Sequence, residues 1–160
     1  MSPLRRFLGI FSFLLLFITA ACSFATAPEK GSQATTDLDV HEQRGGHLLE
    51  RHVNKTDQEL IQRLQEDSKI SGASTFTDRS TAQEVVDAVL SDPDNQQNIQ
   101  QWLESNKGNN LALHYKGDKV IGRGVFRDSP NQVYNLTNAV IILKKDEKYG
   151  YYILTGYPRK

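Results

Sequence analysis

The chain has almost no cysteine. Of its 160 residues, only Cys22 carries a thiol. No disulfide can therefore form within the chain. A chain of this length corresponds to one domain once a leader is removed, and that domain must be stabilised by its hydrophobic core alone.

An excess of positive charge is also missing. Lysine and arginine together number 19, aspartate and glutamate number 19, and the formal net charge is +0. Arg5 and Arg6 lie in the predicted leader, whereas every acidic residue follows it, so the remainder is slightly acidic. This balance excludes a protein that binds nucleic acid through bulk charge. Any contact with phosphate must be local.

The common metal and nucleotide motifs are absent as well. Neither His41-Glu42 nor His47 is followed by a histidine at the spacing of the zinc helix motif. No glycine-rich phosphate loop and no nucleophile elbow occur, and Gly122-Arg-Gly124 is more typical of strand curvature than of a nucleotide fingerprint. The sequence predicts neither a metal nor a cofactor.

Residues 1–21 predict an export signal, with Arg5 and Arg6 followed by an apolar run and then small residues. Cys22 directly after Thr19-Ala20-Ala21 resembles a bacterial lipoprotein cleavage site and predicts lipidation of Cys22. Two alternatives stay open: the apolar run as a membrane anchor, and ordinary cleavage after Ala21 or Ala27. We expect an exported protein, either a cell-envelope lipoprotein or a secreted one.

Residues 22–44 are polar and without periodicity, which predicts a flexible tether. The globular domain is predicted to span 45–160. Its first half has helical spacing and its second half alternates as an antiparallel sheet, so the fold class is α+β, with N-terminal helices packed on a C-terminal sheet.

Helices are predicted around 47–53, 57–67, 80–90 and 93–105. Thr56–Glu59 and Ser80–Gln83 both fit capping boxes, and Asp92 before Pro93 fits a third helix start. Ile99, Trp102 and Leu103 are expected to form the inner face of the last helix.

Four strands are predicted in the second half of the chain. Leu111–Tyr115 and Val120–Phe126 flank Lys116–Lys119 as a hairpin, Val133–Lys144 forms one long strand, and Tyr151–Tyr157 is the last. Side chains alternate faces along a strand, so Thr155 and Tyr157 should share one face with Tyr151 and Ile153.

Two segments concentrate residues suited to acid–base chemistry on a phosphodiester. The first, Gly45–Val53, contains His47, Arg51 and His52, and the second, Ile153–Pro158, contains Thr155 and Tyr157. On a regular helix the two histidines would be separated by about 140°, so they should not address one small site. A structural role for either histidine, and for Thr155 and Tyr157 as ordinary strand residues, stays open. His41 and His114 are interpreted as background.

Four segments together resemble the RNase A-like toxin domain at the C-termini of bacterial contact-dependent growth inhibition proteins and related polymorphic toxins. They occur in the family's order: Gly45–Thr56, Ser74–Arg79, Thr137–Ala139 and Tyr151–Pro158. The resemblance implies a kidney-shaped α+β fold like that of pancreatic ribonuclease, without its disulfides. It also implies cleavage of RNA without a metal.

The resemblance further implies an active site made of His52, Arg63, Thr155 and Tyr157, with His47 and Thr137 as secondary candidates. The implied partners are RNA, with tRNA as one candidate, and an immunity protein that covers the active site. Membrane contact would come through the N-terminal lipid or signal.

The residue types fit cleavage by the 2′-hydroxyl of RNA to a 2′,3′-cyclic phosphate. His52 would be the base, Tyr157 the acid or a phosphate partner, and Arg63 a fork of donors to phosphate oxygens. Thr155 would donate to a phosphate oxygen or a base edge. The alternative is an envelope lipoprotein that keeps the fold but binds RNA, neutralises a toxin or binds a protein without catalysis.

Overall fold

A computed structural model describes residues 36–160, which form five helices and six strands. The helices are α1 Leu38–Gln43, α2 Leu48–His52, α3 Asp57–Glu66, α4 Arg79–Ser91 and α5 Pro93–Glu104. The strands are β1 Gly72–Phe76, β2 Asn110–Tyr115, β3 Gly122–Phe126, β4 Ser129–Leu136, β5 Asn138–Asp146 and β6 Gly150–Arg159. The α+β class is confirmed. Within 36–160, no helix is long and apolar enough to cross a membrane.

Helix α1 lies where the sequence predicted flexible tether. The Asp37 carboxylate caps it by accepting from two backbone N–H groups, and Leu38 is only 2% exposed. The cap and this single buried leucine explain the order, since a short polar segment can fold when one apolar side chain reaches a core. The predicted tether is therefore wrong for residues 38–43. The predicted signal, Cys22 and the tether up to residue 35 lie outside the described residues.

The predicted helices are present, and one of them has a different N-cap. The Thr56–Glu59 capping box is confirmed, and so is the helix start at Asp92. Helix α4, however, is capped by Asp78, whose carboxylate accepts from the Thr81 backbone N–H, and not by Ser80. Asp78 is the cap because its side chain precedes the helix, where the first free N–H groups point.

Trp102 on α5 is 6% exposed, and its indole N–H donates to the Gly108 carbonyl over 3.0 Å. Its predicted burial is confirmed. Leu103, one position further round the helix, is 37% exposed, so its predicted place on the inner face is wrong. A step of about 100° along a helix carries the side chain away from the core.

The strands form two antiparallel three-stranded sheets, in the orders β1-β3-β4 and β2-β5-β6. The predicted hairpin between β2 and β3 is wrong, because these strands lie in different sheets. A reason lies at Gly122 of β3, where a Cβ would collide with the Thr75 carbonyl, so the glycine allows β3 to approach β1 closely.

The long strand predicted over 133–144 is two strands. Strand β4 ends at Leu136 and β5 begins at Asn138, so the chain passes from one sheet to the other at Thr137. Alternation of side chains indicates strand structure but carries no information about which sheet each half joins.

A bulge in β6 decides which side chains share a face. Ile142 pairs with Thr155 whereas Leu143 pairs with Ile153, so Leu154 is the extra residue. Since Ile142 and Leu143 point to opposite faces, Ile153 and Thr155 do as well. The prediction that Ile153 and Tyr151 share the face of Thr155 and Tyr157 is wrong. Ile153 belongs to the core, and Thr155 and Tyr157 point away from it.

The main hydrophobic core lies between the other face of the β2-β5-β6 sheet and helices α1, α2, α4 and α5. A smaller cluster, Leu60, Leu64, Ala73 and Val125, packs α3 against β1 and β3. Fully buried side chains of the main core include Phe76, Val86, Ile141 and Leu143, each 0% exposed. The two clusters fix the positions of α2 and α3 relative to β6.

Candidate active site

The corner between α2 and α3 is anchored to β1 by the backbone. Asn54 has a left-handed φ of 56°, and its N–H donates to the Phe76 carbonyl over 3.2 Å. The next N–H, of Lys55, donates to the Thr75 hydroxyl over 3.0 Å. The Arg123 guanidinium adds a bond to the Lys55 carbonyl at 2.8 Å. These contacts hold His52 before the corner and Arg63 after it in a fixed relation.

The start of α2 is docked on the bulge of β6. The His47 backbone N–H donates to the Leu154 carbonyl over 2.9 Å. The Glu42 carboxylate of α1 accepts from the Leu49 N–H at 2.9 Å and from the Glu50 N–H at 3.2 Å. Gly46 is needed for this close approach, since a Cβ there would lie 2.7 Å from the His41 carbonyl. Helix α1, the bulge and α2 therefore form one connected support.

His52 is a buried, oriented imidazole with an exposed fraction of 6%. Its Nδ1 lies 3.1 Å from the Ser74 carbonyl, which can only accept, so Nδ1 carries the proton. Nε2 is then the unprotonated nitrogen of the neutral ring. The ring packs on Tyr157, with centroids 5.2 Å apart and planes tilted by 32°.

Burial lowers the pKa of His52 to about 4, and the charges of Arg63, His47 and Arg51 act in the same direction. The bond to the Ser74 carbonyl opposes the shift. The dipole of α2 would favour the protonated ring in the last turn of the helix, but desolvation outweighs that effect here. The free protein holds His52 neutral, in the form that accepts a proton.

Arg63 lies beside the histidines, across the α2–α3 corner. One Nη donates to the Arg51 carbonyl over 3.3 Å. Its charge contributes to lowering the pKa of both His52 and His47. It also lines an open cleft of about 370 Å³ between the two helices, with Glu50, Arg51, Lys55, Glu59, Leu60 and Asp67. The charges of the lining are balanced, with three cations against three carboxylates.

Within 36–160, Thr155 is the one residue whose side chain has a buried polar atom without a hydrogen-bond partner. It is 7% exposed and lies on the same face of β6 as Tyr157. Leaving a buried hydroxyl unpaired costs about 1–3 kcal/mol, so such a group calls for an explanation, and a catalytic role is one. The hydroxyl therefore keeps unused hydrogen-bonding capacity on the Tyr157 face of β6.

The two secondary candidates differ in position. His47 is not within α2 but is its cap residue, with φ −152°, so the predicted separation of 140° does not apply. Burial, foremost, and the charge of Arg51 lower its pKa, and His47 in turn lowers the pKa of His52. Thr137 lies at the β4–β5 junction, beyond the Asn138–Arg159 pair that ends the sheet.

The structure places His52 against Tyr157, with Thr155 on the same face of β6, and Arg63 and His47 are near enough to lower the pKa of His52. The cleft that Arg63 lines includes none of the other candidates, and Thr137 lies at the margin. Sequence reasoning missed Ser74, whose carbonyl fixes the His52 tautomer. It also missed His41, whose Nδ1 accepts from the Ile153 N–H at 3.1 Å. Ser74 lies in the segment Ser74–Arg79, which carries part of the family resemblance. Every residue type has a backbone carbonyl, however, so the sequence could not predict this contact. Among the residues described, no group of three or more His, Cys, Asp or Glu side chains could hold a metal ion.

Comparison with a family model and with solved structures points to the same family. A family model described as the bacterial CdiA-CT RNase A domain matches residues 46–158. The crystal structure of the CdiA-CT/CdiI complex from Y. kristensenii 33638 contains a similar chain, with a TM-score of 0.64 and 39% sequence identity. The alignment covers 72% of this chain and 100% of that chain. A search of curated proteins gave no match.

Proposed function

Because the chain belongs to the family of bacterial CdiA-CT RNase A domains, we propose that it is a toxin-type endoribonuclease that works without a metal ion. The RNA 2′-hydroxyl would attack the neighbouring phosphorus, the bond to the leaving 5′-oxygen would break, and the product would be a 2′,3′-cyclic phosphate. The proposed catalytic residues are His52, Arg63, Thr155 and Tyr157.

The observation that carries the proposal is the orientation of His52. The Ser74 carbonyl holds the Nδ1 proton, so Nε2 is free to take the proton of the 2′-hydroxyl. Burial keeps the ring neutral, with a pKa of about 4. A bound phosphate would add a negative charge beside the ring and stabilise the protonated form during the reaction.

The other three residues would act on the phosphate. Arg63, with its planar fork of donors in the α2–α3 cleft, would stabilise the charge that develops on the phosphorane. Thr155 would satisfy its unpaired hydroxyl by donating to a phosphate oxygen. Tyr157, which packs on His52, would protonate the leaving oxygen or orient the phosphate through its hydroxyl.

The test is single-turnover cleavage of a short RNA by the folded chain, with EDTA present. His52→Ala should lower the rate by about 10²–10⁴-fold, the usual effect of losing a general acid or base. His47→Ala is the matched control, since it removes an imidazole from the same segment, and it should reduce stability more than rate. Full activity in His52→Ala would end the assignment. A larger loss in His47→Ala would transfer the role of base to His47, and loss on chelation would end the metal-free mechanism.

We also propose that a specific protein partner covers the site. The similar chain from Y. kristensenii was crystallised as a CdiA-CT/CdiI complex, which supports an immunity protein as that partner. RNA is the proposed substrate, and tRNA is one candidate class.

The domain limits and the route of export remain proposals. We infer an export signal at 1–21, a linking segment that ends before α1, and lipidation of Cys22. Stable anchoring needs more than one acyl chain. Cys22→Ser should release the protein from the membrane fraction, and a variant that stays bound like the parent would show that the apolar segment is the anchor.

A further inference from the structure

The sheet face that carries Thr155 and Tyr157 continues across two more strands. Tyr157 pairs with Val140 of β5, and Val140 pairs with His114 of β2, so the three form one row across the sheet. Strands lie about 4.8 Å apart, which places His114 roughly 10 Å from Tyr157 along this row. His114 is exposed, whereas the opposite face of the same strands forms the main core.

Cationic side chains lie beside this row, at the edge of the sheet where β2 and β6 end. Arg159 follows Tyr157 on the same face of β6, roughly 7 Å further along the strand. Together with Lys116, which follows β2, it lines an open depression of about 290 Å³. The lining residues are His114, Tyr115, Lys116, Asn138, Ala139, Arg159 and Lys160, and no aspartate or glutamate is among them.

Two of these cations have donors to spare. The Lys160 ammonium is occupied, since it lies 3.4 Å from the Asp128 carboxylate and over the rings of Phe126 and Tyr134. Arg159 uses only its Nε, which donates to the Lys160 carbonyl at 3.3 Å. For the Arg159 Nη groups and the Lys116 ammonium, no side-chain hydrogen bond or salt bridge occurs with any residue from 36 to 160. Arg79 and Arg123, by contrast, are each paired with an aspartate.

We propose that Lys116, Arg159 and His114 form a second phosphate subsite, which binds the RNA phosphate next to the one cleaved at His52. The inference rests on the proposed ribonuclease function and extends it to how the substrate is held. With a net charge of +0, the chain cannot hold RNA by bulk charge, so local cations must do so. The step from Tyr157 to Arg159 along β6 is comparable to the spacing of successive phosphates in an extended RNA strand.

RNA fits this surface better than an acidic protein segment would. The subsite is continuous with the face that carries Thr155 and Tyr157, and an RNA strand with its phosphate at the reacting site must continue past one end of it. Arg159 and Lys116 lie where that continuation passes, and His114 and Asn138 add hydrogen-bonding side chains on the same face.

The experiment compares two substrates with the full chain. A dinucleoside monophosphate contains only the cleaved phosphate, whereas a trinucleotide contains a second one. The double variant Lys116→Ala/Arg159→Ala should lower kcat/KM for the trinucleotide by about tenfold or more, as expected for losing charge-assisted hydrogen bonds. It should cleave the dinucleotide at the parent's rate. Lys69→Ala/Lys107→Ala, which removes two exposed lysines elsewhere, is the control and should leave both unchanged.

A binding measurement separates failure of the subsite from failure of the enzyme. For a 2′-O-methyl RNA, which cannot be cleaved, the slope of log affinity against log salt should fall by about 0.7 in the double variant, the contribution of one single-strand phosphate. If the parent cleaves neither substrate, the proposed ribonuclease function is wrong. The salt dependence of binding then still shows whether the subsite exists. If the double variant retains the parent's slope and trinucleotide cleavage, the subsite is wrong and the patch is left for a protein partner.

Discussion

At the scale of single residues, His52 links the proposed chemistry to folding stability. Burial lowers its pKa to about 4 in the folded chain, against about 6.5 when unfolded. A depressed pKa means that the folded state resists protonation. The stabilising contribution of neutral His52 is therefore complete above about pH 6.5 and is lost as the pH falls toward 4. The shift corresponds to about 3 kcal/mol.

The measurement is the free energy of unfolding in urea as a function of pH. Between about pH 6.5 and 4, the parent should lose more stability than His52→Gln, which has no ring to protonate. Comparing slopes removes any constant cost of the substitution and the titration that both proteins share, including that of His41, whose pKa is also lowered by burial. Parallel curves would show that His52 does not titrate in this range.

Arg63 tests whether geometry or charge alone matters at the phosphate. Arg63→Lys keeps the charge but loses the planar fork and the bond from Nη1 to the Arg51 carbonyl. The loss of one charge-assisted hydrogen bond predicts a cleavage rate lower by about 10–100-fold. Arg79→Lys, at an exposed ion pair with Asp39, should cleave like the parent. If Arg63→Lys cleaves RNA at the parent's rate, the positive charge of Arg63 is sufficient and its planar geometry is not required.

At the scale of elements, local sequence predicted helices and strands well and their partners poorly. The Thr56–Glu59 capping box depends only on neighbours in sequence, and it is present. The hairpin predicted between β2 and β3 depended on pairing, and β3 pairs instead with β1, distant in sequence, where Gly122 lies against Thr75. The bulge at Leu154 is equally invisible, because nothing in the alternation of β6 marks an extra residue.

The N-cap of α4 provides a test at this scale. The Asp78 carboxylate accepts from the Thr81 N–H over 2.7 Å, so Asp78→Ala should lower the free energy of unfolding by about 1 kcal/mol. Ser80 is the second residue of the helix, and Ser80→Ala should be neutral or slightly stabilising because alanine has the higher helix propensity. Urea unfolding of both variants gives the comparison. A larger loss in Ser80→Ala would restore the capping box that the sequence predicted.

At the scale of the whole molecule, the candidate site is assembled from distant parts of the chain. The resemblance supplied the types and positions of His52, Arg63, Thr155 and Tyr157. It could not supply the burial of His52, its tautomer or the unpaired hydroxyl of Thr155, since these depend on packing between α2, β1 and β6. Helix α1 was missed for the same reason: its single buried leucine has meaning only beside the core that it joins.

Helix α1 should therefore be part of the folding unit. Removing residues 1–44 would expose the site of Leu38, delete the Glu42 cap of α2 and break the bond between His41 and the Ile153 N–H. Burial of one leucine contributes about 1.5–3 kcal/mol and each of the three hydrogen bonds, two to Glu42 and one to His41, about 1 kcal/mol, which predicts a loss of roughly 4–6 kcal/mol. The fragment 36–160 keeps all three contacts and should unfold at the urea concentration of the full chain. Leu38→Ala in the full chain should lose about 2–5 kcal/mol by itself. Equal stability of 36–160 and 45–160 would show that α1 only rests on the domain, and would return residues 36–44 to the flexible segment that the sequence predicted.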